Sequence, residues 1–184
     1  MLRLRPCLVL AALLACAEGA HAQQPTPPSP TSLGIQAPPR GALSRQQLEA
    51  VAKDIRALEK NPLASDATEA RRVLLAWLID SPDVTVKMCN GALEPLSRST
   101  SRYHRELLLQ FVLSSGAYAI EHPDQAGDVA RVTAGGLEGV LAAYAALKEQ
   151  QGAHATDEFV ERLSKIGERG GLEEHAREVT RGCG

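Results

Sequence analysis

The chain has 184 residues, of which 44% are apolar, 3% aromatic and 23% charged. This composition excludes a wholly disordered chain and argues against a collagen-like or coiled-coil one. The 20 basic and 22 acidic residues give a net charge of -2. This balance favours neither nucleic acid nor an anionic membrane surface as the partner.

The first 22 residues have the pattern of an export signal. Basic residues precede an apolar run over residues 7–17, and a site of small residues follows it. We expect cleavage between Ala22 and Gln23. The apolar run is too short for a stable transmembrane helix. The predicted location is therefore periplasmic or secreted.

A second processing route competes with this cleavage. Residues 13–16 have the sequence Leu-Leu-Ala-Cys, which resembles a bacterial lipobox. In that route Cys16 is acylated and becomes the new N-terminus. The alternative location is therefore a lipid anchor on the bacterial envelope, again without an integral membrane segment.

Residues 23–41 contain six prolines among glutamine, serine and threonine residues. A segment of this composition lacks the apolar side chains needed for a core, so we expect an extended and mobile linker. Residues 42–184 then form one domain with a single core.

The domain has the three- and four-residue periodicity of helices. Ser44 and Gln47 form a capping box before the first helix, and Asp66 opens the second. The later helices are predicted over residues 83–91, 101–121, 124–150, 156–169 and 172–180. Thr156 is the expected cap of the sixth helix. The predicted fold is all-α, with six to seven helices.

Residues 83–89 are the ambiguous segment, because Val84, Thr85 and Val86 favour a strand. A lone strand in a helical chain has no partner for its backbone hydrogen bonds. We therefore predict a short helix that ends at Asn90 and Gly91.

The predicted fourth helix is apolar on almost every side, which is typical of a helix at the centre of a fold. The fifth helix carries Gly135, Gly136 and Gly139. Each glycine destabilises a helix by roughly 1 kcal/mol relative to alanine, so we infer that another helix crosses closely at this point.

Two of the four cysteines, Cys7 and Cys16, lie in the export signal, which leaves Cys89 and Cys183 in the domain. In an oxidising compartment such a pair is typical of a structural disulfide. The bridge would join the C-terminus to the middle of the chain and stabilise it by about 4 to 5 kcal/mol. The alternative is two free thiols.

Motifs of familiar catalytic sites are missing from the sequence. It has no H-E-x-x-H, C-x-x-C, G-x-S-x-G, P-loop or calcium-loop pattern, and the histidines show no ligand spacing. We predict no catalytic residue, no cofactor and no metal. A site assembled only in the folded chain would escape this search.

A line of polar residues runs along the otherwise apolar fourth helix. Its members are Glu106, Gln110, Ser114 and Glu121. Carboxylates that are buried without partners are too costly, so the line is expected to face water or a partner. A strip left wet at the surface is the favoured interpretation, and a partner-binding site is the alternative.

Three segments carry a resemblance to known proteins: Asp83–Val86, Ala119–Asp124 and Leu137–Gly139. Over residues 70–183 the chain resembles a family of small exported bacterial proteins of uncharacterised activity. In architecture it is also similar to periplasmic immunity proteins, which neutralise toxins that degrade the cell wall. These resemblances imply an exported helical domain and assign no residue a role.

The leading hypothesis is a non-enzymatic protein-interaction module that binds an envelope protein as an accessory, an inhibitor or an immunity factor. One alternative is a domain that binds a small molecule or a lipid in a cavity between the predicted fourth and fifth helices. Another is an envelope enzyme with an unrecognised site.

Overall fold

The structure, a computed structural model, describes residues 32–183, which form seven α-helices and one 3-10 turn without any strand. The helices are α1 (Arg45–Lys60), α2 (Ala67–Asp80), α3 (Asn90–Ser97), α4 (His104–Glu121), α5 (Val129–Gln151), α6 (Glu158–Glu168) and α7 (Leu172–Val179). The prediction of an all-α fold is confirmed. The predicted export signal, Cys16, the cleavage site at Ala22 and Gln23, and most of the linker lie outside the described residues.

The central helix is α4, as the sequence predicts. Ten of its eighteen residues are buried, and it packs against α1, α2, α3 and α5. One apolar cluster lies between α4 and the pair α1 and α2, with Ile55, Leu74 and Leu113 among its members. A second cluster lies between α4 and the helices α3, α5 and α6, around Phe111 and Leu147. Because α4 belongs to both clusters, it holds the two halves of the core together.

The crossing of α4 and α5 explains the glycines of α5. A Cβ atom at Gly135 would overlap the ring of Tyr118, and one at Gly136 would overlap Ser115 and Phe111. A Cβ atom at Gly139 would overlap Ser114 and the carboxylate of Glu59. The inference of a close helix crossing is therefore confirmed.

The predicted helix over residues 83–91 is wrong. Residues 83–89 form no regular element, and Cys89 instead precedes the first turn of α3. Val84 is buried in the first apolar cluster, so this extended segment is held by packing rather than by a ladder of hydrogen bonds. A Cβ atom at Gly91, the second residue of α3, would overlap the backbone oxygen of Val179 in α7. The close approach of α7 therefore requires glycine at this position.

Two predicted helix starts are also displaced. The fifth helix begins at Val129, where the Asp128 carboxylate accepts hydrogen bonds from two free amides of the first turn. The sixth helix is capped in the same way by Asp157, not by Thr156. Both helices therefore begin one residue or more later than the sequence pattern predicts. In each case the aspartate carboxylate accepts hydrogen bonds from the first amides of the helix and so marks its N-cap.

The end of the predicted linker is anchored to the domain rather than free. We call residues 32–43 the strap. The backbone amides of Leu33 and Gly34 each donate to the Asp66 carboxylate at 2.8 Å, beside one end of α2. The amide of Leu43 donates to Asp83 at 2.8 Å, just beyond the other end. The strap therefore runs along α2 and is tied down at both ends.

The predicted disulfide joins Cys89 and Cys183, whose Cα atoms are 5.8 Å apart. It links the start of α3 to the segment after α7, and so fixes the C-terminus to the middle of the chain. No helix among residues 32–183 is both long and apolar enough to cross a membrane.

Candidate functional site

The predicted polar line of α4 does not form a single surface strip. Gln110 and Ser114 are 0% exposed, whereas Glu106 is half-buried and Glu121 is exposed. The expectation of a wet strip, and that of a partner contact, are therefore wrong for Gln110 and Ser114, because neither water nor a partner reaches them. For Glu106 and Glu121 a partner contact stays a prediction.

The buried part of this line is a hydrogen-bonded network between α4 and α1. The Ser114 hydroxyl donates to Glu59 Oε1 at 2.6 Å, and Gln110 Nε2 donates to Ser114 Oγ at 3.0 Å. Arg56 donates to Glu59 at 2.6 Å and to Glu121 at 2.7 Å, so the Glu59 charge is compensated at the edge of the core. The sequence pattern does not distinguish Glu59 from the other polar residues of the first helix, so it does not predict that this side chain is buried.

Gln110 Oε1 is buried without a hydrogen-bond partner among the described residues. If the Gln110 amide were rotated by 180°, Oε1 would face the Ser114 hydroxyl. Oε1 and the Glu59 carboxylate would then compete for the single hydroxyl proton. The observed orientation keeps the bond to the carboxylate, which is the stronger of the two. The network therefore fixes the packing of α4 on α1, and nothing in its geometry offers a substrate a point of entry.

A second polar cluster lies where the loop before α4 meets the start of α6, beside a pocket of about 450 Å³. The hydroxyls of Ser99 and Ser101 donate to Asp157 Oδ2 at 2.5 and 2.6 Å, while Oδ1 caps α6. Burial alone would raise the pKa of Asp157, but the bonds from Ser101, Ser99 and two amides hold it below its ordinary value. Since both carboxylate oxygens are occupied, Asp157 is a structural tie between elements.

The feature best placed to meet another molecule is an apolar groove of about 610 Å³ between α2, α3 and α4. Its aliphatic lining is half-buried, and Ile79, one turn after Leu75 on α2, is 73% exposed. We call Ile79 and the aliphatic lining together the apolar face. The lining consists of Leu75, Leu93, Leu108, Leu109 and Val112.

The rim of the groove is polar. It carries Asn90 and Ser97, and the ion pair between Glu94 and Arg98, whose atoms lie 2.6 Å apart. A surface with an aliphatic floor and a polar rim is typical of protein-binding sites. A signal for the groove is present in the sequence: α4 is apolar on almost every side, and Leu108 and Leu109 are only half-buried by the neighbouring helices.

A cavity for a small molecule or a lipid was the alternative predicted between the fourth and fifth helices, and the space beside the glycines of α5 is occupied by side chains of α4. The side chains of Phe111, Ser114, Ser115 and Tyr118 fill the space beside the glycines of α5. The glycines are explained by the close approach of α4 to α5, which leaves no space for a Cβ atom at these positions.

Three acidic, histidine or cysteine side chains that could together hold a metal ion are not found within residues 32–183. No protein family, curated protein or solved structure shows significant similarity to the chain. The resemblances drawn from the sequence therefore stay expectations.

Proposed function

We propose that this chain is an exported helical domain that works by binding an envelope protein through the apolar face. The observation that carries the proposal is Ile79, which is 73% exposed beside a groove lined by five aliphatic side chains. Leaving such a surface in water forgoes the free energy of its burial, about 25 cal/mol per Å², which binding a partner would recover.

Two further features support an extracytoplasmic setting. The Cys89–Cys183 disulfide is of a kind that persists in oxidising compartments. The pattern of residues 1–22 is that of an export signal, with acylation at Cys16 as the competing route. We therefore place the domain in the periplasm or outside the cell, or on the envelope by a lipid anchor.

The partner is expected to present an aliphatic segment with polar flanks, to match the floor and the rim of the groove. In protein interfaces a few central residues carry most of the binding energy. Ile79 and Leu109 are the central candidates, because each exposes apolar surface on a different wall of the apolar face.

The test is affinity capture from envelope extracts with matched acidic variants. Ile79→Glu and Leu109→Glu are compared with Ala145→Glu, which places the same charge on the exposed side of α5, away from the groove. We expect one partner to be captured by the parent chain and by Ala145→Glu, and its yield to fall at least tenfold with the other two variants. Equal capture by all four chains would show that the apolar face does not bind the partner.

A further inference from the structure

A pocket of about 450 Å³ lies between the strap and α2, and we call it the strap pocket. The strap contributes Pro38 and Arg40 to its lining, and α2 contributes Val73, Ala76, Trp77 and Asp80. Within the described part of the chain, the strap pocket shares no lining residue with the apolar groove between α2, α3 and α4. A pocket of this size has room for a small molecule.

The strap forms a fixed outer wall of this pocket. Its backbone amides are bound by Asp66 at one end and by Asp83 at the other. Between these two points Pro38 and Pro39 restrict the backbone, because the proline ring fixes φ. Gly41 has a φ of +87°, a conformation that favours glycine. The opening between the strap and α2 is therefore a fixed feature of the fold.

Two opposite charges lie towards one end of the strap pocket. Leu43 is bound to Asp83, and Arg40 and Asp80 each precede their member of this pair by three residues. Both side chains are exposed, and neither forms an ion pair with another described residue. The last turn of α2 also contains no basic residue, so its free carbonyl groups favour a cation from elsewhere.

The apolar part of the lining is built around an indole ring. Trp77 is 7% exposed, and its Nε1 is buried without a hydrogen-bond partner among the described residues. The indole N–H can only donate, and a buried donor without an acceptor is rare in folded proteins. Val73 and Ala76 add aliphatic surface beside the ring. The strap pocket thus combines an apolar wall, an unused donor and two unpaired charges.

We propose that the strap pocket binds a small zwitterion with an apolar body, of the class of an aliphatic α-amino acid. Its carboxylate binds Arg40, its ammonium group binds Asp80, and its side chain packs on Trp77. An amino acid carries both charges on groups attached to one carbon atom, which matches a cation and an anion at the same end of a pocket. The site goes beyond the proposed function, because the aliphatic lining of the groove takes no part in it.

Titration of the full, oxidised chain with leucine tests the proposal. Trp77 is the single tryptophan of the chain, so its fluorescence reports on the strap pocket, and calorimetry gives the affinity in parallel. We expect a dissociation constant below about 1 mM. Isocaproate lacks the ammonium group of leucine, isoamylamine lacks the carboxylate, and glycine lacks the side chain. Each of the three should bind at least tenfold more weakly than leucine.

Conservative variants assign the two charges. Asp80→Asn should weaken leucine binding at least tenfold and leave isocaproate binding unchanged, because isocaproate has no ammonium group. Arg40→Gln should weaken leucine binding as much and leave isoamylamine binding unchanged, because isoamylamine has no carboxylate. The matched controls, Glu149→Gln and Arg105→Gln, remove exposed charges outside the pocket and should not alter leucine binding. Circular dichroism confirms that each variant is folded.

A chain that leaves leucine unbound up to about 10 mM would overturn the proposal. Isocaproate binding as tight as that of leucine would also overturn it, and so would leucine binding that neither Asp80→Asn nor Arg40→Gln changes. Leu109→Glu, in the groove, should bind leucine as the parent chain does. Because this variant tests envelope capture separately, failure of the proposed function and failure of the strap pocket are distinguishable.

Discussion

Single carboxylates hold the edges of this fold. Asp66 does not cap α2 with its own side chain, and instead binds three groups of the strap: the amides of Leu33 and Gly34 and the hydroxyl of Ser32. These hydrogen bonds lower the pKa of Asp66 from 3.8 to about 2, and the bond from the Leu33 amide makes the largest contribution. The ionised carboxylate is thus the form that fastens the strap.

The pKa of Asp66 sets the pH range in which the strap stays fixed. Because the folded-state value lies below the ordinary one, the contribution to stability is complete above about pH 4 and is lost as the pH falls towards 2. Hydrogen exchange should show the amides of Leu33 and Gly34 protected at pH 5 and still largely protected at pH 3. Asp66→Asn should reduce that protection by roughly tenfold or more at both values.

The control for this prediction is Glu149→Gln, which removes an exposed carboxylate at the end of α5. It should leave both amides protected. Unchanged exchange at Leu33 and Gly34 in Asp66→Asn would mean that packing of the strap, rather than this carboxylate, fixes it.

The hydroxyl of Ser114 stabilises the buried carboxylate of Glu59. Ser114→Ala removes a hydrogen bond to the charged Glu59 and leaves that carboxylate with Arg56 alone. We expect the free energy of unfolding to fall by about 2 kcal/mol, measured by urea denaturation. Ser97→Ala, at an exposed position of α3, should change it by less than about 0.5 kcal/mol. Equal effects would contradict a role for the network.

At the scale of elements, the crossing of α4 and α5 depends on the absence of side chains. Gly139→Ala would push a methyl group against Ser114 and Glu59, and we expect it to destabilise the fold by about 1 to 3 kcal/mol. Gly127→Ala is the matched control, since an added Cβ atom there meets nothing within 4 Å. The thermal unfolding midpoints of both variants are compared. A lower midpoint for Gly139→Ala alone indicates overpacking at the crossing, whereas equal losses would contradict it.

The sequence predicted the elements better than it predicted their contacts. Periodicity located α1, α2 and α4, and the glycines of α5 indicated the crossing, because these patterns are local. The local pattern indicates neither the start of α3 at Asn90 nor the approach of α7 to Gly91, which comes from the far end of the chain. The pattern alone predicts surface positions for Gln110 and Ser114, because the groups that they bind in α1, the backbone oxygen of Ile55 and the carboxylate of Glu59, lie 55 residues away.

At the scale of the whole molecule, the disulfide joins the C-terminal segment to the middle of the chain. It secures α7 and the C-terminus to the start of α3, which also forms one wall of the groove. The bridge closes a loop of 94 residues and so lowers the conformational entropy of the unfolded chain. We expect this effect to stabilise the fold by about 4 to 5 kcal/mol. Urea unfolding of the oxidised chain and of Cys89→Ala/Cys183→Ala measures this difference. A loss below about 1 kcal/mol would show that the bridge is not a main source of stability.

The apolar face lies on the three helices α2, α3 and α4. The first apolar cluster holds α2, the second holds α3, and α4 belongs to both. Because the core holds the three helices in place, we expect binding to require little ordering of the backbone. We propose that the domain binds its protein partner through this apolar face.

Photo-crosslinking within the envelope tests whether the apolar face binds that partner. A photoreactive side chain is placed at Ile79, at Leu109, or at the control position Ala145, and the crosslinked peptides are identified by mass spectrometry. We predict that positions 79 and 109 join the same envelope protein and that position 145 does not. Crosslinks to that protein from position 145 alone, or to no protein from positions 79 and 109, would contradict the account.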